Sequence, residues 1–65
     1  MFTHIFEDWH FWQGNAAFLA SDESTKRLRS FDTCDDCVTW LWANNHKDAA
    51  RSLAKAWRAH TRKGL

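Results

Sequence analysis

Large hydrophobic residues recur at helical spacing through the first twelve positions of the chain. They fall at i, i+3, i+4, i+7 and i+10, namely Phe2, Ile5, Phe6, Trp9 and Trp12. Two adjacent apolar pairs, Ile5–Phe6 and Phe11–Trp12, break the alternation typical of a half-buried strand. The pattern therefore predicts an amphipathic first helix that Gly14 ends, with Asn15 capping the next element. A two-residue β-hairpin turn at Gly14–Asn15 is the alternative interpretation.

The middle of the chain, residues 16–31, is compatible with one bent helix or two short ones. From residue 32 onwards the signal for a helix is stronger. Asp32 or Thr33 is placed to cap it, and two acids follow in its first turn, where the helix dipole favours them. One face of this helix collects Cys34, Cys37, Val38, Leu41 and Trp42. A turn at residues 44–46 then leads into a final helix that begins at Lys47 or Asp48 and ends near residue 62.

The final helix divides into two faces when its residues are placed at about 100° intervals. One face consists of small residues with larger anchors: Ala49, Ala50, Leu53, Ala56, Trp57 and His60. The opposite face holds five cations within an arc of roughly 80°. We call these residues the basic ridge: Lys47, Arg51, Lys55, Arg58 and Arg62.

These patterns together predict an all-α fold. We expect a single small domain spanning residues 1–65, a compact bundle of three or four short helices. It would end in an antiparallel helical hairpin packed around Cys37, Leu41, Leu53 and Trp57. Five Trp and five Phe supply much of the apolar area of the one core that 65 residues can form. So short a chain has little material to shape a catalytic cleft, and we expect no enzyme.

The stretch LWANNHKDAARSLAKAW, residues 41–57, resembles short helical regulators of enteric bacteria and their phages. The shared features are an apolar helix, a short turn, and a helix that carries an Ala–Ala pair and a Trp. The resemblance covers about a quarter of the chain. The second half of those families has no counterpart here, and we carry over no residue roles from them.

Charge is distributed unevenly along the chain, although its formal net charge is only +1. Residues 1–46 contain seven acids and three bases, a net charge of −4. Residues 47–65 contain six bases and one acid, a net charge of +5. This asymmetry indicates either a surface for a charged partner or a basic helix that lies against the acidic part of the same chain.

A row of cations on one helix face can neutralise several nucleic-acid phosphates. Four polar residues near the helix start, Asn44, Asn45, His46 and Ser52, are placed to add hydrogen bonds. We therefore predict a small regulatory protein that binds nucleic acid through the basic ridge. The alternative is a phage- or plasmid-type interaction module, an inhibitor or adaptor, that docks the ridge on an acidic surface of a host protein.

Cys34 and Cys37 form a CxxC pair, which is half of a common zinc site. Because the sequence has no second pair, zinc would need two histidines, one of His46 and His60 and one of His4 and His10. Two buried free thiols are the favoured interpretation, since both cysteines lie on the predicted core face. The acids beside them also disfavour a reactive thiolate. We expect no cofactor.

Two cysteines and the absence of a secretory-type start indicate a cytoplasmic protein. No stretch approaches the ~18 apolar residues that a membrane span requires, so we expect no membrane partner. Ten aromatic residues exceed the needs of one small core. Core packing is the favoured interpretation of the aromatic residues of the first helix, and a homodimer or partner-binding surface formed by them is the alternative.

Overall fold

The computed structural model describes residues 1–63, with the side chains of residues 1–62. It contains four strands followed by two helices: β1 Thr3–Phe6, β2 Trp9–Gln13, β3 Phe18–Asp22, β4 Arg27–Phe31, α1 Cys34–Ala43 and α2 Lys47–Lys63. The strands form one antiparallel sheet in the order β1-β2-β3-β4. The fold is therefore α+β, and the prediction of an all-α helical bundle is wrong.

The spacing of large hydrophobic residues that predicted a first helix also fits two short strands joined by a two-residue turn. Glu7 and Asp8 connect β1 to β2, and Phe6 lies directly opposite Trp9. Residues that face each other across an antiparallel pair point to the same side of the sheet, so these two share a face as they would at i and i+3 of a helix. Ile5 and Trp12 belong to the other face. Large apolar residues on both faces therefore concealed the two-residue period of the strands.

Two four-residue loops connect the remaining strands. In the loop of residues 14–17, the Gly14 N–H donates to the carbonyl of Ala17 at 2.9 Å. A β-carbon at position 14 would lie 3.0 Å from that oxygen, so the close approach favours glycine. In the loop of residues 23–26, the Asp22 carboxylate accepts bonds from the N–H and hydroxyl of Ser24 at 3.0 and 2.7 Å. The helices predicted for residues 16–31 are therefore wrong. The alternative of a two-residue hairpin turn at Gly14–Asn15 had the right kind of connection, but the loop has four residues.

The two helices agree with the sequence prediction in their position. The Thr33 hydroxyl caps α1 by accepting a bond from the Asp36 N–H at 3.1 Å. Residues 44–46 form the short connection, and α2 begins at Lys47. The assignment of Trp42 to the core face of α1 is wrong, because Trp42 is 41% exposed. No helix within residues 1–63 has the length and apolar character needed to cross a membrane.

The core lies between one face of the sheet and the two helices. Its buried members are Phe2, Trp9, Phe11, Phe18, Ala20, Cys34, Cys37, Leu41, Ala49, Ala50 and Leu53. Within the described residues, no element covers the other face of the sheet, where Ile5 is 68% exposed and Leu28 is 63% exposed. The molecule thus has two layers, with a helical side and an open sheet side.

The alternative of a dimer surface on a first helix is wrong, because that helix does not exist. Of the aromatic stripe assigned to it, Phe2 and Trp9 are buried in the core, and Phe6 packs against that core. Trp12 is on the open face of the sheet, because it pairs with residues of that face in β1 and β3. Strand alternation has therefore divided the stripe between two sides of the molecule.

We expect Leu53→Ala to lower the free energy of unfolding by about 2–5 kcal/mol, because Leu53 is fully buried between the layers. A core of this size supplies roughly 3–5 kcal/mol in total, so the variant should be largely unfolded in water. Urea denaturation followed by circular dichroism measures the change. Lys55→Ala, on the exposed side of the same helix, is the control and should stay within about 0.5 kcal/mol of the parent. Equal effects of the two substitutions would contradict this core.

Candidate nucleic-acid interface

The basic ridge lies on the side of α2 that faces away from the sheet. All five of its residues are exposed, as predicted from their angular positions. The opposite side of α2, with Ala49, Ala50 and Leu53, is buried against the rest of the molecule. At a rise of 1.5 Å per residue, the ridge extends about 22 Å from Lys47 to Arg62. The structure thus brings all the predicted cations onto one surface.

Little of the charge on the ridge is compensated by other groups within residues 1–62. Arg51 Nη1 lies 3.8 Å from Asp48 Oδ1, and both side chains are exposed. An exposed pair of this kind contributes at most about 1 kcal/mol, so a ligand can readily replace it. In residues 1–62 the other ion pair joins Lys26 to Glu23, away from the ridge. The apolar side of α2 therefore packs against the acidic part of the chain, whereas the charge of the ridge faces solvent.

An exposed aromatic side chain lies beside the ridge. The Arg51 guanidinium is 5.6 Å from the centre of the Trp42 ring, which is within the range of a cation–π interaction. This contact joins the end of α1 to the first turns of α2. Sequence reasoning missed it, because Trp42 follows Leu41 and was assigned to the same buried face.

The polar residues expected to assist the ridge are mostly engaged elsewhere. The Ser52 hydroxyl is hydrogen-bonded to His4 Nε2 at 2.8 Å, and the Asn44 amide donates to a carbonyl of α1 at 2.8 Å. His46 packs between two tryptophan rings, with centroids at 5.2 and 5.8 Å. Asn45 is exposed and has a left-handed backbone, with φ of 67°. Of the four residues, Asn45 is therefore the one best placed to contact a ligand of the ridge.

Edge strand β4 carries a second group of cations that the sequence analysis did not single out. Arg27 and Arg29 alternate with Leu28 and point to the helical side of the sheet. Both line a cavity of about 320 Å³ together with Trp40 and His46. The Arg29 guanidinium lies 4.5 Å from the centre of the Trp40 ring. The i, i+2 spacing of these arginines was the available signal, and the helical interpretation of residues 16–31 concealed it.

The thiols of Cys34 and Cys37 are free and buried. Burial raises the pKa of each to about 12, with a further contribution from the Asp35 carboxylate at Cys34 and from Cys34 at Cys37. Because the thiolate is the nucleophile, this environment disfavours redox chemistry at either cysteine. In the described part of the chain, no group of three or more His, Cys, Asp or Glu side chains is arranged to hold a metal ion.

The four histidines considered as zinc ligands lie in different environments. His4 bonds to Ser52, whereas His10 is on the open face of the sheet and is hydrogen-bonded to the hydroxyl of Thr3 at 3.0 Å. His46 occupies the tryptophan cluster described above. His60 packs against the rings of Phe2 and Trp57, with centroids at 5.2 and 5.6 Å. The structure therefore does not bring the predicted set of zinc ligands together.

The arrangement most similar to a catalytic pair is the hydrogen bond between His4 and Ser52. It joins β1 to α2 in a partly buried position. The cavities of about 270–390 Å³ on the described surface are not lined by either residue. Burial also lowers the pKa of His4, which favours the neutral imidazole. This pair is best explained as a polar contact between the two layers.

We expect the protein to lose stability as the pH falls through about 6.5, the ordinary pKa of histidine. The unfolded chain binds a proton at His4 more readily than the folded chain does, because burial lowers the folded-state pKa. The contribution of neutral His4 to the stability of the fold is complete above that pH and decreases as the pH falls below it. His4→Gln should therefore flatten the pH dependence of the urea midpoint. His10→Gln, which changes an exposed histidine, should retain it; identical profiles for both variants would contradict the assignment.

Both thiols should resist alkylation by iodoacetamide in the native protein. A buried thiol with a pKa of about 12 has to be exposed by unfolding before it reacts. Mass spectrometry should show slow modification in buffer and rapid modification in denaturant. Rapid native labelling of Cys37, which is fully buried, would contradict its place in the core.

No protein-family model, curated protein or solved structure matches this chain. The resemblance of residues 41–57 to short helical regulators is limited to the helical hairpin and receives no support from these comparisons. The functional argument therefore depends on what the surface presents. Its main features are the basic ridge, the exposed Trp42 beside it, and the two arginines of β4.

Proposed function

We propose that this chain is a small regulatory protein without enzymatic activity that binds nucleic acid through the basic ridge. The supporting observation is a 22 Å row of five exposed cations, of which Arg51 alone has a carboxylate partner within residues 1–62. DNA carries one phosphate charge per ~1.7 Å of helix axis. A ridge of this length therefore meets several phosphates, and the release of their counterions drives binding.

The composition of the ridge favours contacts with the backbone of the nucleic acid. Arg51, Arg58 and Arg62 present guanidinium groups that match phosphate oxygens in a bidentate manner, and the two lysines act as point charges. Phosphate contacts position a protein, whereas contacts with base edges specify a sequence. Asn45 is the one polar residue near the helix start that is placed to add a contact with a base edge. We therefore expect strong salt dependence and weak sequence preference.

The cytoplasm is the compartment in which we propose that this activity occurs. Two free thiols within 65 residues are characteristic of a reducing environment. The proposed binding mode uses charged side chains and requires no cofactor. Zinc would serve a structural role if the CxxC pair bound it, and would not change the role of the ridge.

An acidic surface of a host protein is the second candidate ligand. The observation that favours it is Trp42, an exposed tryptophan in contact with the ridge residue Arg51. Tryptophan and arginine are the residues most enriched among those that dominate binding energy at protein interfaces. In this case the chain would act as an inhibitor or adaptor of the phage or plasmid type.

Lys55→Gln should reduce by about one the slope of log K against log salt for nucleic-acid binding, because one phosphate contact is lost. Fluorescence anisotropy with labelled duplex DNA and with single-stranded RNA measures the slope. Lys26→Gln is the matched control, since it removes the same charge from a lysine outside the ridge that is paired with Glu23. The control should keep the parental slope.

A parental protein that binds neither probe at low salt would overturn the proposal of nucleic-acid binding. Trp42→Ala then tests the second candidate, in a pull-down of acidic host proteins. Under that candidate, the substitution should abolish capture. Under the first candidate, it should have a small effect on DNA affinity, because Trp42 lies beside the row of cations.

A further inference from the structure

The open face of the sheet contains no charged side chain in its eight strand positions. These positions form two rows that run across the four strands. The first row is Ile5, His10, Ser21 and Leu28, and the second is Thr3, Trp12, Leu19 and Ser30. An uncharged sheet face on a chain with 26% charged residues indicates a surface that becomes buried.

The polar groups on this face are compatible with burial. The hydroxyl of Thr3 and Nε2 of His10 share a hydrogen bond of 3.0 Å, and the His10 ring packs against Trp12 at 4.9 Å. The two exposed large apolar members, Ile5 and Leu28, lie at opposite edges of the sheet. Covering them would therefore remove apolar surface from water across the whole width of the face.

The two rows have a symmetric pattern of apolar and polar residues. From β1 to β4, the first row is apolar, polar, polar, apolar, and the second is polar, apolar, apolar, polar. A two-fold axis parallel to the strands places β1 of one copy over β4 of the other. Ile5 then meets Leu28 of the second copy, and Trp12 meets Leu19 of the second copy. An in-plane axis perpendicular to the strands would instead place every apolar residue over a polar one.

We propose that two copies of this chain pack their open sheet faces together about a two-fold axis parallel to the strands. The dimer is an α–β–β–α sandwich, with the sheets ~10 Å apart and their strands within about 30° of each other. Four strands make a face about 19 Å wide, so the interface is at the low end of the size range. We therefore expect a weak dimer, with a dissociation constant in the micromolar range or above.

The response to salt separates this dimer from nucleic-acid binding. The Glu23 N–H donates to the carbonyl of Asp8 at 2.9 Å, so the acidic turn of Glu7 and Asp8 lies beside the loop of residues 23–26, in which Glu23 is paired with Lys26. The proposed axis places the acidic turn of one copy near the 23–26 loop of the second copy, whose Glu23 and Lys26 charges balance. The dimer depends on burial of an uncharged face and should change little with salt, whereas salt weakens phosphate binding at the ridge. The two proposals use opposite sides of the molecule and can fail separately.

Sedimentation equilibrium of the parental protein over a range of concentrations tests the dimer. Leu28→Lys should raise the dissociation constant at least about tenfold, because it places a charge opposite an apolar side chain. Ala59→Lys, which adds the same charge at an exposed position of α2, is the matched control and should have no effect. Circular dichroism should show native folding in both variants, since the two positions are exposed.

A pair of complementary variants tests the axis itself. Ile5→Lys and Leu28→Asp should each be monomeric, because either change disrupts both edge contacts of a homodimer. Their equimolar mixture should recover a heterodimer, in which a lysine faces an aspartate at one edge and the parental contact remains at the other. A monomeric parental protein at every concentration and salt, an unaffected Leu28→Lys dimer, or a mixture that stays monomeric would overturn the proposal. Binding of a monomeric parental protein to lipid vesicles would also overturn it.

Discussion

Packing of the helical hairpin against the inner face of the sheet is the interaction on which the rest of the structure depends. Neither layer can bury its apolar residues without the other. Phe11 of the sheet and Leu41 and Leu53 of the helices are fully buried where the layers meet. Small residues in α2, Ala49 and Ala50, are buried at the same contact and permit close approach of the helix. A chain of 65 residues has one such core, so the same contact determines the stability of every element.

This two-layer arrangement determines which surfaces remain for partners. The helical side presents the basic ridge, and the sheet side presents an uncharged face. The two proposed modes of binding differ in their physics, since the first would depend on phosphate charge and the second on apolar burial. The proposed dimer would leave a ridge on each outer side of the sandwich. Two ridges facing away from each other suit contacts with two separate segments of nucleic acid.

The residues of α1 and α2 were predictable because their signals are local. Thr33 caps a helix within its own first turn, and the five cations of the ridge share a face through helical periodicity alone. The strands were not predictable in this way. Phe6 and Trp9 share a face through a turn of two residues, and Arg27 and Arg29 show their period over five residues only. The strands form because they pair with each other and pack against the helices, which are distant in sequence. The apolar residues Ile5 and Trp12 on the open face also remove the alternation that would mark a half-buried strand.

The sequence by itself determined the helical hairpin, the buried position of the two cysteines and the separation of charge into an acidic part and a basic ridge. These features follow from periodicity and composition, which are properties of neighbouring residues. Only the tertiary structure decided that residues 1–31 form a sheet, that Ser52 is bonded to His4, and that Trp42 is exposed beside Arg51. It also decided that the acids of the sheet do not neutralise the ridge. Each of these features depends on how the sheet and the helices pack against each other, and the spacing of neighbouring residues does not specify that packing.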